Sequence, residues 1–292
     1  MAEKLKTRAL NEKFLNEFLT GKLNNLLEII KSDDSLIMCL RGDYTTVYYR
    51  GLQILKIKQN LSFSVDKNYK IEIQPSLDCD WIEYFKEAKQ KIDTHCLKST
   101  KLEKEIQQII FRENSCNCIA DETDYFIVDL EYNHSFSKER KARFDALAIF
   151  WPRNNRAIGN KTKLAIIEIK AGLKALNGKC GLVDHHHDVI EFLENINKNE
   201  FLNDMKNVFV QMKKLGMINT KANPEKITLD KNVQFIFALA NYNDNSILLR
   251  QAINEMPIDE NTLFATSPCL GYGLYEKHML DSKKMLEKIA KE

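Results

Sequence analysis

Two carboxylates and a lysine stand inside the most apolar stretches of this sequence. Glu168 and Lys170 lie at the end of the run KLAIIEIK, and Asp145 lies at the start of the apolar part of RFDALAIF. Alternate side chains of a strand share a face, so Glu168 and Lys170 point the same way as Leu164 and Ile166. Burying a carboxylate or an ammonium costs several kcal/mol unless the ion is paired or binds a ligand. These three residues are therefore the first candidates for chemistry.

A hairpin would bring the two carboxylates together. The segment between the two runs, WPRNNRAIGNKT, is polar and turn-like, and the midpoint between residues 145 and 168 falls inside it. In a symmetric antiparallel pair, Asp145 and Glu168 are then directly opposite, with Cβ atoms about 5 Å apart. Two carboxylates at this distance repel unless a proton or a cation lies between them. A hard divalent cation such as Mg²⁺ suits this arrangement, and Lys170 would contact a phosphate or a metal-bound water.

The elements that must position these residues alternate between helical and strand patterns. Residues 5–31 predict one broken or two short amphipathic helices, and residues 35–66 predict a meander of three or four strands. Residues 81–114 are helical and highly charged. The remaining predicted elements are, in order, three strands from Tyr125 to Lys170, a helical region over residues 184–217 that is broken near 195–199, a strand at 233–240, a short helix near 247–253, the segment TLFATS, and a final helix from near Tyr275.

The composition bounds the class of protein. The chain has 292 residues, of which 44% are hydrophobic and 29% charged, so it can bury a sizeable core as one large domain or two small ones. The net charge of +2 leaves a nucleic-acid partner open, provided that any basic surface is local. No apolar run approaches membrane-spanning length, and the cysteine spacing lacks zinc or iron–sulfur patterns. We therefore expect a cytoplasmic protein with no membrane partner.

The charged residues and their element order resemble a known family. Asp145 followed by Glu168-Ile169-Lys170, on consecutive strands after a helix, looks like the motif of the PD-(D/E)XK nuclease superfamily, the restriction-endonuclease-like fold. The resemblance implies that Asp145, Glu168 and the Ile169 carbonyl bind Mg²⁺ or Mn²⁺. It also implies that Lys170 positions or activates the attacking water. Phe144 stands where the family has a proline.

The same resemblance implies the fold class. It covers roughly residues 98–240 and implies an α/β (α+β) protein with an αβββαβ core, in which helices flank a mixed central sheet. A boundary near residue 95 would separate an N-terminal α+β accessory module (1–95), made of helices and a β-meander, from the nuclease-like core with C-terminal additions (96–292). No linker rich in proline, glycine or serine marks this boundary, so the two parts are expected to pack closely.

Two further site residues are assigned by resemblance. Many members carry a glutamate on the first core helix, and Glu105, which flanks the apolar stripe of KLEKEIQQIIFREN, suits that role better than Glu103. Some members carry a glutamine on the helix after the third strand, often followed by a tyrosine four residues later. Gln211 fits the glutamine, but Leu215 replaces the tyrosine. A solvated helix residue is the alternative for Glu105, and a helix-packing amide is the alternative for Gln211.

The segment DHHHD at residues 184–188 is the densest local cluster of metal-ligating side chains. Asp184 is suited to be the N-cap of the next helix. His185 and His186, together with Arg143, are candidate contacts for a substrate phosphate. A second metal site is one interpretation of the cluster, and a polar first helical turn with imidazoles in solvent is the other.

These observations predict a Mg²⁺- or Mn²⁺-dependent nuclease that hydrolyses phosphodiester bonds, with DNA favoured as the substrate by resemblance and a homodimer left open. One alternative is a non-catalytic nucleic-acid-binding or assembly protein that retains the fold. Another is a different α/β domain in which the three charges pair with one another. In that case Asp145 and Glu168 would lie too far apart to share an ion.

Overall fold

Two β-sheets organise the chain in the computed structural model, each with its own helices. The structure describes residues 5–98, 102–135, 141–157, 161–172, 175–178, 181–241, 243, 245–257, 259–267 and 271–290. Eight α-helices and eleven strands occur within these ranges. The protein is therefore a mixed α/β protein, as the sequence patterns predict.

The first sheet is built from the N-terminal part of the chain. Asn11 caps the first helix by accepting a hydrogen bond from the Phe14 amide, and the apolar faces of the first two helices are buried. The four strands follow one another as an antiparallel meander in the order β1-β2-β3-β4. The elements are α1 (Glu12–Leu19), α2 (Asn24–Lys31), β1 (Ile37–Leu40), β2 (Tyr44–Tyr49), β3 (Leu52–Lys58), β4 (Phe63–Ser64) and α3 (Trp81–Lys98). The prediction of short helices followed by a meander is confirmed.

The second sheet contains the apolar strands that carry Asp145 and Glu168. Its elements are α4 (Leu102–Phe111), β5 (Tyr125–Ser135), β6 (Lys141–Phe150), β7 (Lys161–Ala171), α5 (Leu182–Asn195), α6 (Lys198–Lys214), β8 (Thr228–Leu229), β9 (Gln234–Ala240), α7 (Ile247–Glu255), β10 (Thr262–Ser267), β11 (Leu280–Asp281) and α8 (Ser282–Ala290). The strand order is β11-β10-β9-β7-β6-β5, and β8 pairs with β7.

The second sheet is mixed. Strands β5, β6 and β7 form consecutive antiparallel pairs, whereas β9 runs parallel to both β7 and β10. A parallel neighbour needs a long crossover connection, and α5 with α6 provides it between β7 and β9. Every residue of β9 is buried, as expected for a strand covered on both faces. Helix α4, three strands, a helical crossover and β9 thus follow in the predicted order.

Three boundaries differ from the sequence prediction. Residues 81–114 divide into α3, α4 and a π-helical turn at Arg112–Cys116. The final helix begins at Ser282 and not near Tyr275, because the short strand β11 first pairs with β10. Helix α5 begins at Leu182 with Gly181 as its N-cap, so Asp184 lies in the first turn and is not the cap. The domain boundary near residue 95 stays a prediction; residue 95 lies within α3, which packs against β3.

Candidate functional site

The β6–β7 hairpin has the register that its sequence symmetry predicts. The paired residues run from Phe150 opposite Lys163 to Ala146 opposite Ile167. The ladder ends at this last pair, and Asp145 and Glu168 are the next residue on each strand. The two carboxylates therefore lie on the residues that follow the last printed pair, where the strands separate, and their direct pairing stays a prediction.

Asp145 is held at the end of the ladder by two hydrogen bonds. The Ile169 amide donates to Oδ2 at 2.8 Å, and Nε2 of Gln107 on α4 donates to Oδ1 at 2.6 Å. Only 8% of Asp145 and 3% of Gln107 are exposed. Helix α4 and strand β7 together fix the orientation of this carboxylate, and Gln107 is a site residue that the sequence analysis did not identify.

Glu168 meets two cationic or ionisable groups through one oxygen. Its Oε1 lies 3.0 Å from Nζ of Lys170 and 3.0 Å from Nε2 of His185. Glu168 and Lys170 are both buried. Both contacts involve Oε1, so among the described residues Oε2 is the oxygen left to meet a ligand. The structure thus brings Asp145, Glu168, Lys170 and His185 into one buried cluster, which we call the acidic cluster.

The carboxyl groups of this cluster carry strongly raised pKa values. Burial raises the pKa of Asp145 to about 7; the charges of Glu103 and Glu131 act in the same direction, while the Ile169 amide and Lys170 oppose them. Burial likewise raises the pKa of Glu168 to about 8, with the charge of Asp145 as the next cause. The negative charge at this site exceeds what its own lysine balances. A site of this kind stabilises an added cation.

Glu131 is an acidic neighbour that the sequence analysis overlooked. The β5–β6 register places Leu130 opposite Ala146 and Tyr132 opposite Phe144, so Glu131 lies across from Asp145. Glu131 has a φ of +53°, a left-handed backbone inside a strand. Its signal in the sequence is one more charge in the apolar run YFIVDLEY. Three neighbouring strands thus each contribute one carboxylate.

Glu131 also forms ion pairs with Arg143 and Lys104. Nη2 of Arg143 pairs with Oε2 of Glu131, and Nζ of Lys104 lies 3.5 Å from Oε1. The Arg143 side chain is 61% exposed. Arg143, predicted as a phosphate contact, therefore lies at the solvent side of the acidic cluster, where it pairs with Glu131.

Glu103, and not Glu105, is the helix glutamate that acts on the acidic cluster. Glu103 raises the pKa values of both Asp145 and Glu168, whereas Glu105 pairs with Arg50, whose Nη2 lies 2.5 Å from Oε1. Glu103 and Gln107 are one turn apart on α4 and share a face. Glu105 shares the other side with Gln108, which bonds the backbone of Gly51 and Ser35 in the N-terminal sheet. Glu105 therefore lies in an ion pair with Arg50, and Glu103 is the glutamate of α4 whose charge raises the pKa values of the cluster.

Gln211 and His186 lie in other environments than the predicted site. Gln211 accepts a hydrogen bond from the Leu10 amide at 2.7 Å and donates to the Leu10 carbonyl at 2.8 Å. It ties the N-terminal segment to α6, as in the helix-packing alternative. Nε2 of His186 lies 3.6 Å from Oδ2 of Asp259, and its ring packs on Phe235. Of the two predicted histidines, His185 is the one that reaches the acidic cluster.

A second group of metal-ligating side chains lies on the surface of α5. The ligand atoms of His187, Asp188 and Glu191 all lie within 4.8 Å of one another. Among the described residues, three ligand atoms with this spacing occur here and not at the acidic cluster. His187 is exposed and Asp188 and Glu191 are partly or fully exposed, in keeping with the alternative of a polar helical turn.

The donors at the acidic cluster suit a hard divalent cation. Such ions take carboxylate and backbone carbonyl oxygens, and Mg²⁺ keeps several waters besides one or two carboxylates. The N–H and C=O of a strand residue point to the same side. Because the Ile169 amide reaches Asp145, its carbonyl is directed to the same edge, past the last β6–β7 pair. Asp145, Glu168 and the Ile169 carbonyl are therefore the residues that would hold such an ion.

The fold and the cluster define a mixed-sheet α/β protein with a buried carboxylate–lysine site at the end of a hairpin. Comparisons of the chain with protein-family models, with curated proteins and with solved structures gave no match. Among the described residues, no helix has the length and apolar character needed to cross a membrane. Any assignment of activity therefore rests on the residues of the site.

Proposed function

We propose that this protein is a metal-dependent hydrolase of nucleic-acid phosphodiester bonds, with a core of the restriction-endonuclease-like type. The observation that carries the proposal is that Asp145 and Glu168 directly follow the last β6–β7 pair, with Lys170 3.0 Å from Glu168. The order of α4, three antiparallel strands, a helical crossover and a parallel β9 supports the same fold type. DNA is the favoured substrate by resemblance alone.

Each residue of the cluster has a role in this proposal. Asp145, Glu168 and the Ile169 carbonyl hold Mg²⁺ or Mn²⁺, which when bound polarises the phosphate and lowers the pKa of a coordinated water. Gln107 keeps Asp145 in position through its hydrogen bond to Oδ1. Lys170 lies against Glu168 and would orient the attacking water.

The surroundings of the cluster supply positive charge for a phosphate. His185 lies next to Glu168, and the exposed side chain of Arg143 lies at the solvent side of the acidic cluster. Lys104 lies near the same carboxylate as Arg143. A bound phosphate would compete with Glu131 for Arg143 and Lys104. The strength of the Glu131 ion pairs would therefore determine how readily these two side chains contact the substrate.

A cleavage assay with matched variants tests the proposal. The full chain is incubated with single- and double-stranded DNA and RNA in Mg²⁺, in Mn²⁺ and in EDTA. We expect cleavage that needs the metal and is lost in Asp145→Asn, Glu168→Gln and Lys170→Met. Glu105→Gln is the control, because Glu105 pairs with Arg50 away from the cluster and its loss should leave cleavage unchanged. Absence of metal-dependent cleavage on all four substrates would overturn the enzymatic proposal.

One observation favours a non-catalytic alternative. Glu168 pairs with Lys170 and lies 3.0 Å from Nε2 of His185, both within the chain itself. In a nucleic-acid-binding protein that only retains the fold, these pairs would be purely structural. Wild-type protein that binds DNA equally in Mg²⁺ and in EDTA, and cuts none of the substrates, would support this alternative.

A further inference from the structure

A polar cavity of about 590 Å³ lies between the N-terminal segment and the turn that joins β1 to β2. Its volume falls in the range of small-molecule sites, about 300–1,000 Å³. Three of the charged side chains in its lining are cations and one is an anion: Lys6, Arg8 and Arg41, with Asp43. The lining therefore carries more positive than negative charge.

The two arginines of the lining are buried and share one carboxylate. Only 6% of each arginine is exposed. Arg41 pairs with Oδ1 of Asp129, and Nε of Arg8 lies 3.5 Å from Oδ2 of the same residue. Burying a cation is costly unless the ion is paired. Because two guanidinium groups face one carboxylate, a further anion that approaches them through the cavity would be stabilised.

Arg8 has one nitrogen left for a ligand. Nη2 donates to the Asn133 carbonyl at 3.2 Å, and the guanidinium group lies over the ring of Tyr132. Nε is buried and faces Asp129. Among the described residues, Nη1 is then the nitrogen that can donate into the cavity. Both terminal nitrogens of Arg41 already donate to the protein, so Arg41 contributes its charge.

Backbone contacts fix the wall of the cavity that carries Lys6 and Arg8. The Gly42 amide donates to the Arg8 carbonyl at 2.9 Å. Gly42 has a φ of +75°, and a Cβ there would overlap the Thr7 carbonyl oxygen, so this close approach requires a glycine. Asp204 on α6 accepts hydrogen bonds from the Thr7 hydroxyl and the amides of Arg8 and Ala9. The wall is therefore in place before a ligand binds.

We propose that this cavity, the anion pocket, binds the phosphate group of a nucleotide, either free or within a nucleic-acid chain. The phosphate accepts charge-assisted hydrogen bonds from Nη1 of Arg8 and from Lys6. The N-terminus of α1, capped by Asn11, lies at the same cavity and adds the positive end of the helix dipole. The remaining volume takes the nucleoside, whose base stacks on the ring of Tyr44.

The anion pocket is independent of the proposed hydrolase, because none of the residues that line it belongs to the acidic cluster. Its ligand is recognised by phosphate chemistry and needs no metal. Binding can therefore be measured in EDTA, where metal-dependent cleavage does not occur.

Titration calorimetry of the full chain in EDTA tests the pocket. The probes are inorganic phosphate, dAMP, deoxyadenosine and a single-stranded DNA oligonucleotide with a 5′-hydroxyl end. We expect deoxyadenosine to bind about 10-fold or more weakly than dAMP, the size expected when a hydrogen bond to a charged group is lost. Binding of dAMP assigns the phosphate to a free nucleotide, and binding of the oligonucleotide without dAMP assigns it to a chain. Binding of inorganic phosphate alone would overturn the nucleotide.

Charge variants give the pocket a signature with two signs. Lys6→Gln should weaken binding of dAMP or of the oligonucleotide about 2–5-fold, and Asp43→Asn should tighten it by a similar factor, since both residues are exposed in the lining. Arg8→Lys keeps a cation near Asp129 but loses the guanidinium fork, so it should weaken binding about 10-fold. Lys22→Gln, at an exposed lysine outside the cavity, is the matched control and should have no effect.

Two results would overturn the anion pocket. One is that neither dAMP nor the oligonucleotide binds at millimolar concentrations. The other is binding that Lys6→Gln and Asp43→Asn leave as unchanged as Lys22→Gln does. These exposed positions keep the test valid if Arg8→Lys fails to fold. Metal-dependent cleavage without either form of binding would overturn the pocket and leave the hydrolase standing, and dAMP binding in a protein that cuts no nucleic acid would do the reverse.

Discussion

Two buried clusters of charged residues differ in their balance of charge. The first has more arginines than carboxylates, and the second has more carboxylates than lysines. In the first, Asp129 on β5 lies between Arg41 and Arg8 of the N-terminal part, and all three residues are buried. One carboxylate there meets two guanidinium groups. In the acidic cluster, Asp145 and Glu168 share one lysine, and their pKa values rise to about 7 and about 8 because burial is not offset by enough positive charge.

The difference lies in the balance of charge, which is positive in the first cluster and negative in the second. In the Asp129 cluster, Arg41 also donates to the Leu130 carbonyl and Arg8 to the Asn133 carbonyl, and Nε of Arg8 lies 3.5 Å from Oδ2 of Asp129. It joins the N-terminal sheet to the central sheet. In the acidic cluster burial raises the pKa of both carboxyl groups, so we expect added protons or a cation to stabilise it. Stability and function should therefore respond differently when each cluster is changed.

The largest expected effect on stability is at Asp129. Asp129→Asn leaves two buried arginines without their carboxylate, and breaking a buried ion pair costs about 3–5 kcal/mol. Asp145→Asn should cost clearly less in EDTA at pH 8, because the loss of one accepted hydrogen bond is offset by the removal of one of two repelling carboxylates. Urea unfolding of both variants measures the contrast. Equal losses of unfolding free energy would remove the distinction between the clusters.

A divalent metal should stabilise the protein through the acidic cluster. At a Mn²⁺ concentration 100 times the dissociation constant, a ligand bound only by the folded state adds about 2.7 kcal/mol. We expect this gain in the wild type and in Asp129→Asn, and none in the Asp145→Asn, Glu168→Gln double variant. Thermal unfolding with and without Mn²⁺ is the measurement. A gain that survives in the double variant would assign the ion to another site, with His187, Asp188 and Glu191 as the next candidate.

The stability of the metal-free protein should fall as the pH rises. The pKa values of Asp145 and Glu168 in the folded state lie above their ordinary values of 3.8 and 4.5, so the folded protein holds protons that the unfolded chain has lost. This contribution is present at low pH and is lost between about pH 4 and pH 8. The double variant should lack this part of the pH dependence. A wild-type profile that matches the double variant over this range would contradict the raised pKa values.

The smallest expected effect separates Glu103 from Glu105. Glu103→Gln removes a negative charge and should lower the pKa of Asp145, whereas Glu105→Gln should leave it unchanged. Carboxyl ¹³C NMR over a pH titration measures both. Glu105→Gln should instead cost about 0–1 kcal/mol of stability, as is usual for a partly exposed ion pair. A shift of Asp145 by Glu105→Gln alone would restore the assignment made from the sequence.

The central pair was accessible from the sequence because its position follows from local symmetry. A hairpin with a central turn fixes which residues oppose each other, and the apolar runs fix the strands, so Asp145 and Glu168 could be paired without a structure. The short helices, the meander and the break between α5 and α6 follow from local patterns in the same way.

The residues that the sequence missed depend on contacts between distant segments. On one side of α4, Gln108 bonds Gly51 and Glu105 pairs with Arg50, both in the N-terminal part of the chain. Gln107 lies on another side of the helix and bonds Asp145. The Gln211 side chain is hydrogen-bonded to the backbone of Leu10, some two hundred residues away in the chain. Helical periodicity gives the faces of a helix but not their partners, so these assignments required the tertiary structure.

A Mn²⁺ soak of a crystal of the full chain tests the central claim most directly. The account predicts one anomalous peak between Asp145 and Glu168, with metal–oxygen distances of about 2–2.6 Å to both carboxylates. The Ile169 carbonyl should be a further ligand, and the Asp145→Asn, Glu168→Gln double variant should lack the peak. A crystal that takes up no ion at this pair, or takes one up only at His187, Asp188 and Glu191, would contradict it.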